Sequence, residues 1–317
     1  MLKQNKILVI GCNGQIGTVL TNTLADKFGC TNVIGTDLQP PIFDSKWCYV
    51  QCSVLDRNGI SNLIKTHQIN EVYLLAAYLS AKGEGNIEQA WDLNINGLLN
   101  ILQLAKEYKV SKVFWPSSIA VFGPSTPKKN VDQNAICEPN TIYGVSKLAG
   151  EKLCNYYFNQ HGIDIRSLRY PGLIGWESLP GGGTTDYAVE IFHHAVESKK
   201  YTCFLSKTRT LPMMYMNDAI EATIRIMSAE YNQIKIRTSY NISSFNFSPY
   251  ELELEIKKHV PGFSVNYVPD KRDKVAQGWP QSISDLPAQR DWGWQSKYNM
   301  SQMVSDIMLN LKKSKKI

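Results

Sequence analysis

The sequence predicts an α/β fold built on a doubly wound parallel sheet. Short apolar runs without alternation, such as Lys6-Ile7-Leu8-Val9-Ile10, recur between longer stretches with helical spacing. Runs of that kind suit strands buried on both faces, as parallel strands are. A glycine cluster, Gly11-Cys12-Asn13-Gly14-Gln15-Ile16-Gly17, follows the first run directly and opens a helical stretch. At 317 residues, 43% hydrophobic and 20% charged, the chain can bury one large core.

In chain order, the first strand ends at Ile10 and a helix runs from about Gln15 to Phe28. Val33-Ile34-Gly35-Thr36 is a second strand closing on Asp37, and Trp47-Cys48-Tyr49-Val50-Gln51 a third. Asp56 caps a helix that runs to about His67. Glu71-Val72-Tyr73-Leu74-Leu75 is a fourth strand, followed by a long helix over about Ile87 to Tyr108. Lys112-Val113-Phe114-Trp115 is a fifth strand, ending in Pro116-Ser117-Ser118. A polar loop leads to a helix over about Thr141 to Gln160, then to a sixth strand, Asp164-Ile165-Arg166-Ser167-Leu168. Strands alternating with helices of this length are βαβ units, and their natural assembly is the Rossmann arrangement. Beyond about residue 175 the pattern is mixed. Short strands at 201–205, 211–215, 237–241 and 264–268 interleave with helices at 186–199, 217–229, 249–259 and 299–312. This stretch reads as a smaller C-terminal substrate-binding lobe.

Composition narrows the function. The net charge of +6 includes Lys312, Lys313, Lys315 and Lys316 in the tail, which suit a frayed helix end. No basic face with interleaved aromatics occurs, so no nucleic-acid partner is expected. No apolar run approaches the ~20 residues of a membrane span. No apolar leader follows Met1, so a cytoplasmic location is expected. The seven cysteines are odd in number and form no CxxC pair, as reduced thiols would be. Cys48 and Cys52 share a strand face, which suits packing. His193 and His194 are adjacent and point about 100° apart on a helix, so they do not chelate one ion easily. No metal is expected.

The glycine cluster is a GxxGxxG in the strand–turn–helix setting that a dinucleotide needs. Gly11, Gly14 and Gly17 permit the tight turn and close approach of backbone to a pyrophosphate. Asn13, Gln15 and Ile16 complete the loop, and the helix N-terminus supplies N–H donors and a positive dipole. Asp37 lies twenty residues past Gly17. An acid there accepts the ribose hydroxyls and repels a 2′-phosphate, which favours NAD over NADP. Asp56 is placed either to meet the adenine edge or simply to cap its helix. Leu75, Ala76 and Ala77 end the fourth strand with side chains small enough for the backbone to run beside the cofactor. The expected division is therefore 1–172 as the NAD-binding Rossmann domain and 173–317 as mainly the substrate-binding lobe, with some elements returning to the sheet.

Tyr143 and Lys147 lie four apart on one helix face, and Ser118 ends the preceding strand, where open α/β sheets bind ligands. A tyrosine near pKa ~10 is a poor base at neutral pH. A lysine ammonium and a cationic nicotinamide ring favour the phenolate. That phenolate can take a proton from a substrate hydroxyl while hydride leaves the carbon, with the serine hydroxyl orienting the oxygen.

GCNGQIG, LLAA, SSIAVFG, YGVSK and RYPGLIG, in this order, resemble the extended short-chain dehydrogenase/reductase superfamily over nearly the whole chain. The resemblance implies that Ser118 is the catalytic serine, Tyr143 the acid/base and Lys147 its partner, with Tyr170 and Pro171 lining the nicotinamide. Members acting on nucleotide sugars usually carry an Asn where this chain has Gly172. They also carry an Arg before the strand leading to Met216-Asn217-Asp218, where this chain is apolar. By contrast, YPGLIGWESLPGGGTTDYAVEIFHHA and TLPMMYMNDAIEATI closely resemble the short-chain-type L-threonine 3-dehydrogenases, which oxidise the β-hydroxyl of L-threonine to 2-amino-3-oxobutyrate with NAD and no metal.

That resemblance gives a role to Gly181-Gly182-Gly183-Thr184-Thr185-Asp186. Backbone N–H groups of a glycine nest, with Gly183, Thr184 and Thr185 at a helix start, would bind the substrate carboxylate. Ser80 would help hold the amino acid, Ser118 and Tyr143 would meet its hydroxyl, and Trp279 would close the pocket. The resemblance further implies a homodimer formed by the helices at about 87–108 and 141–160, and a downstream glycine C-acetyltransferase that captures the unstable product. The alternatives are a nucleotide-sugar epimerase or dehydratase of the same superfamily, and a non-catalytic NAD-binding regulatory protein. An intact Ser118, Tyr143 and Lys147 argue against the second.

Overall fold

Strand β1 (Ile7–Ile10) is buried on both faces. Ile7 and Val9 enter one apolar cluster while Leu8 and Ile10 enter the other, as the two-residue period of a strand dictates. The computed structural model describes residues 5–41, 45–80 and 84–314. After β1 come β2 (Val33–Asp37), β3 (Cys48–Gln51), β4 (Glu71–Leu74), β5 (Lys112–Phe114), β6 (Ser117–Ser118) and β7 (Asp164–Arg166). Six of these form one parallel sheet in the order β3-β2-β1-β4-β5-β7. The chain builds outward from β1 to one side and then, from β4, to the other. The crevice beyond the C-terminal ends of β1 and β4 is thus the switch point at which such sheets bind ligands. The expected α/β doubly wound class is the observed one.

Helices α1 (Gln15–Phe28) and α2 (Arg57–Thr66) occupy their expected places. The long third helix differs. It is α3 (Ile87–Trp91), a π-turn at Asp92–Asn96, and α4 (Gly97–Tyr108). The π-turn inserts an extra residue and turns Asn94 inward, where Nδ2 donates to Tyr78 O at 3.3 Å and Ser146 Oγ at 3.0 Å, and Oδ1 accepts from Tyr78 N at 2.7 Å. Helix α5 (Ile142–His161) starts at a true cap, with Thr141 Oγ1 accepting from Gly144 N at 3.1 Å.

The sixth expected strand is two. The chain breaks at Ser167, whose hydroxyl and carbonyl turn to Ser239 and Tyr240 N. β7 stays in the large sheet. β8 (Leu168–Tyr170) pairs with β6 and with β12 (Tyr240–Asn241), the short remnant of the strand expected over 237–241. This offset sets Ser118 opposite Tyr170. β9 (Gly172–Ile174), β11 (Leu211–Tyr215) and β13 (Phe245–Phe247) make a further sheet, and β10 (Lys200–Cys203) pairs with β14 (Ser264–Tyr267). Helices α6 (Tyr187–Glu197), α7 (Met216–Ser228), α8 (Pro249–Lys257) and α9 (Lys271–Gly278) interleave with these strands. Among the described residues, no helix is long and apolar enough to cross a membrane, and no group of three His, Cys, Asp or Glu is placed to hold a metal ion.

Candidate active site

Two loop glycines are required by backbone packing and one is not. Gly11 has φ +87°, and a Cβ there would lie 2.6 Å from Ala76 N. A Cβ on Gly17 would lie 2.0 Å from Gly11 O. Both contacts are backbone against backbone, so neither can relax cheaply. A Cβ on Gly14 would meet Gly11 O at an ordinary 3.5 Å. Gly14 is also the N-cap of α1, and no side chain caps that helix. A glycine that the protein's own packing does not need, at an uncapped helix N-terminus, fits close approach by a pyrophosphate.

Asp37 braces the loop. Its carboxylate accepts from Asn13 N at 3.0 Å and Leu38 N at 2.7 Å, which leaves acceptor capacity for a ribose. Asn13 Nδ2 donates to Gln39 O. Leu75 N and Ala76 N both donate to Ile10 O, at 2.8 and 3.0 Å, bending the end of β4 across the glycine loop. Asp56 caps α2, accepting from Gly59 N at 3.0 Å. It does not line the central cleft.

That cleft has a volume of about 130 Å³. Gln15, Ile16, Leu75 and Ala77 line it from the glycine-loop side. Ser118, Tyr143, Lys147, Tyr170 and Pro171 form its floor. Gly183, Thr184, Thr185 and Trp279 close it from the opposite side, together with Ser80 from the segment after β4. Gly11, Asn13, Gly14, Gly17, Asp37 and Ala76, also expected at the cofactor, do not line this cleft. The Tyr170 hydroxyl does not reach into the cleft region: it bonds to Thr223 Oγ1, and burial pushes it well up.

Lys147 Nζ donates to Pro116 O at 2.7 Å and lies 4.6 Å from the Trp115 ring centroid and 5.6 Å from that of Tyr143. Burial pulls its amine down to about 7. Burial also pushes the Tyr143 phenol up to about 12, with a hydrogen bond from Ser118 opposing it. In the protein itself desolvation dominates both groups, and an amine near pKa 7 offers only part of a charge at neutral pH. Two features still favour the phenolate: the Ser118 hydroxyl, and the position of Tyr143 in the first turn of α5, at the positive end of its dipole.

The glycine nest also differs from expectation. Gly182 N and Gly183 N donate to Asp186 Oδ2, at 2.8 and 2.7 Å, so the anion they hold is internal. Burial pushes the Asp186 carboxyl above its ordinary value and these bonds draw it back. Thr184 N donates to Ser80 Oγ at 3.2 Å, and the two hydroxyls lie 3.0 Å apart, pinning the loop to the segment after β4. Asp186, read from sequence only as a helix start, is itself part of the cleft wall. Gly172 explains how the loop fits: a Cβ there would lie 2.9 Å from Thr185 Cγ2. An asparagine at this position would need the space that Met213 and Thr185 occupy. Leu211, at the position expected to be basic in nucleotide-sugar enzymes, is fully buried against Phe247 of β13.

A buried network behind the floor was not read from sequence. Glu151, one turn past Lys147, accepts from Ser117 Oγ at 2.6 Å and from Arg169 Nε and Nη2 at 2.8 and 2.7 Å. The only sequence signal for it is the i,i+4 spacing from Lys147.

Residues 7–243 match the model of the NAD dependent epimerase/dehydratase family. The chain belongs to that family. An uncharacterized epimerase/dehydratase from Staphylococcus haemolyticus (strain JCSC1435) is 42% identical over 308 residues, 96% of each chain. A solved GalE-like L-threonine dehydrogenase from Cupriavidus necator (holo form) is 49% identical with a TM-score of 0.95, covering 96% of this chain and 99% of that one. A monomeric L-threonine 3-dehydrogenase from a metagenome is 47% identical with a TM-score of 0.95, covering 97% and 99%. The resemblance to L-threonine 3-dehydrogenases of the extended short-chain type is thus met in three dimensions.

Proposed function

We propose that this protein oxidises the 3-hydroxyl of L-threonine to 2-amino-3-oxobutyrate with NAD. The observation that carries the reading is the closure of the cleft beside Gly172. Met213 and Thr185 fill the space there: a Cβ on Gly172 would lie 2.5 Å from Met213 Sδ and 2.9 Å from Thr185 Cγ2, so the polar side chain of a nucleotide-sugar site has no room. The similarity to solved L-threonine dehydrogenases supports it. Residues 1–172 would hold the cofactor: the glycine loop its pyrophosphate, Asp37 its ribose, and Leu75, Ala77, Tyr170 and Pro171 its nicotinamide end. When bound there, NAD supplies the hydride acceptor and a positive ring. Residues 173–317 would mainly hold the substrate.

In this reading Ser118 donates to the substrate oxygen and Tyr143 removes its proton. Lys147 stabilises the phenolate from the adjacent turn. Asp186 presents a buried carboxylate on the cleft wall as a counter-charge for the ammonium, and Thr185 faces the carboxylate. The product is a β-keto acid prone to lose CO₂, so a CoA-dependent acyl-transfer enzyme such as glycine C-acetyltransferase would consume it in the cytoplasm. In a thermal-shift titration with NAD present, L-threonine is expected to raise Tm and a UDP-sugar to leave it unchanged. A shift with the UDP-sugar alone would favour the epimerase reading.

We also propose a homodimer through α3, α4 and α5, where Ile87, Trp91, Val145 and Tyr156 are exposed. Sedimentation velocity at micromolar concentration is expected to give twice the 35.8 kDa chain mass, and a monomer would refute it.

A further inference from the structure

The turn that carries Trp279 is held by a side chain about 150 residues away. Lys128 Nζ donates to Gln277 O at 3.2 Å, Gly278 O at 2.9 Å and Trp279 O at 3.5 Å. An ammonium has three donors, and all three are spent on consecutive carbonyls at the end of α9. They lie at the negative end of that helix, where a cation is favoured. The Lys128 backbone returns the contact: its carbonyl accepts from Gln281 N at 2.6 Å and Ser282 N at 3.3 Å. Two residues on, Asn130 N donates to Ser282 Oγ at 2.8 Å, and Val131 and Ser284 continue the pairing. Trp279 is 5% exposed and forms part of the cleft wall.

The geometry points to Lys128 as a positioning residue for substrate selection: its ammonium fixes the α9 terminus so that Trp279 walls the cleft at the size of a small amino-acid alcohol. Among the described residues, no other side chain donates to these three carbonyls. Losing the ammonium frees the turn, and the indole withdraws or tilts. Lys128 touches neither the glycine loop nor the Ser118–Tyr143–Lys147 floor. The consequence is therefore confined to substrate fit and spares cofactor binding and the chemical step.

This inference rests on the L-threonine reading, and the experiment separates the two. Steady-state rates with L-threonine and NAD are measured for the wild type, Lys128→Met, Lys128→Arg, Trp279→Ala and the Lys128→Met/Trp279→Ala double variant. Lys128→Met is expected to raise KM for L-threonine roughly 10-fold, with kcat and KM for NAD near wild type. Lys128→Arg restores KM, and the double variant is no worse than Trp279→Ala, because both changes remove one wall. A wild-type KM in Lys128→Met, additive effects in the double variant, or an equal rise in KM for NAD overturns the inference. Hydrogen–deuterium exchange over residues 276–284 is measured on the same proteins without substrate. Faster exchange in Lys128→Met is expected, and unchanged exchange overturns the clamp even if the wild type leaves L-threonine untouched. That last outcome would sink the L-threonine reading by itself.

Discussion

Tyr143→Phe is expected to lower kcat for L-threonine oxidation by roughly 1,000-fold while leaving the fold and NAD affinity intact, since a positioned acid/base group contributes ~10²–10⁴. The substitution removes one hydroxyl, whose partner is Ser118, and keeps the ring in place. The structure also indicates how the wild type should respond to pH. Burial holds the phenol up at about 12, so in the protein alone it is protonated at neutral pH. Its loss of a proton then depends on positive charge arriving in the cleft, and activity should rise with pH through the range in which the phenolate becomes populated. Residual activity in Tyr143→Phe within an order of magnitude of wild type would remove Tyr143 from the reaction. Measuring kcat across pH in both proteins decides this.

Lys147→Met should act in opposite directions on rate and on pH-dependent stability. The rate should fall roughly 100-fold, as the group supporting the phenolate is lost. The stability effect follows from the buried amine, drawn down to about 7 from the 10.5 of an exposed lysine. Between those values the unfolded chain holds a proton that the folded chain does not. Wild-type stability therefore rises with pH there, by about 1.4 kcal/mol per unit, and the contribution flattens below pH 7. Methionine matches the lysine stem and has no such proton, so the wild-type minus Lys147→Met difference in unfolding free energy should climb from neutral to alkaline pH. Loss of the bond to Pro116 O lowers the variant's stability by an amount that does not vary with pH. Urea titrations of both proteins at several pH values, without NAD, measure the difference. A difference independent of pH would mean that Lys147 is not desolvated.

What the sequence made legible was local. β1 could be read because four consecutive apolar residues fill both faces of the sheet. The glycine loop could be read because its spacing follows a strand and opens a helix. Tyr143 and Lys147 could be paired because four residues make about one helical turn. The parts that stayed hidden depend on chain segments far apart or on burial. Ser167 ends a strand because of Ser239 and Tyr240, more than seventy residues on. The π-turn answers the Tyr78 and Ser146 groups that Asn94 must reach. The glycine nest looked open because sequence shows flexible backbone and free N–H groups, but not that Asp186 folds back to take them. The desolvation of Tyr143 and Lys147 stayed hidden for a related reason. Spacing gives the distance between two groups, whereas their pKa values depend on how much water each has lost.

The most direct test of the central claim is the initial rate of absorbance increase at 340 nm with purified protein, NAD and L-threonine. NADH formation that requires L-threonine, is weaker with NADP and disappears in Tyr143→Phe is the predicted result. If NAD binds and L-threonine yields no NADH at any pH between 7 and 10, the assignment of the Ser80–Thr184–Asp186 cleft to L-threonine is wrong.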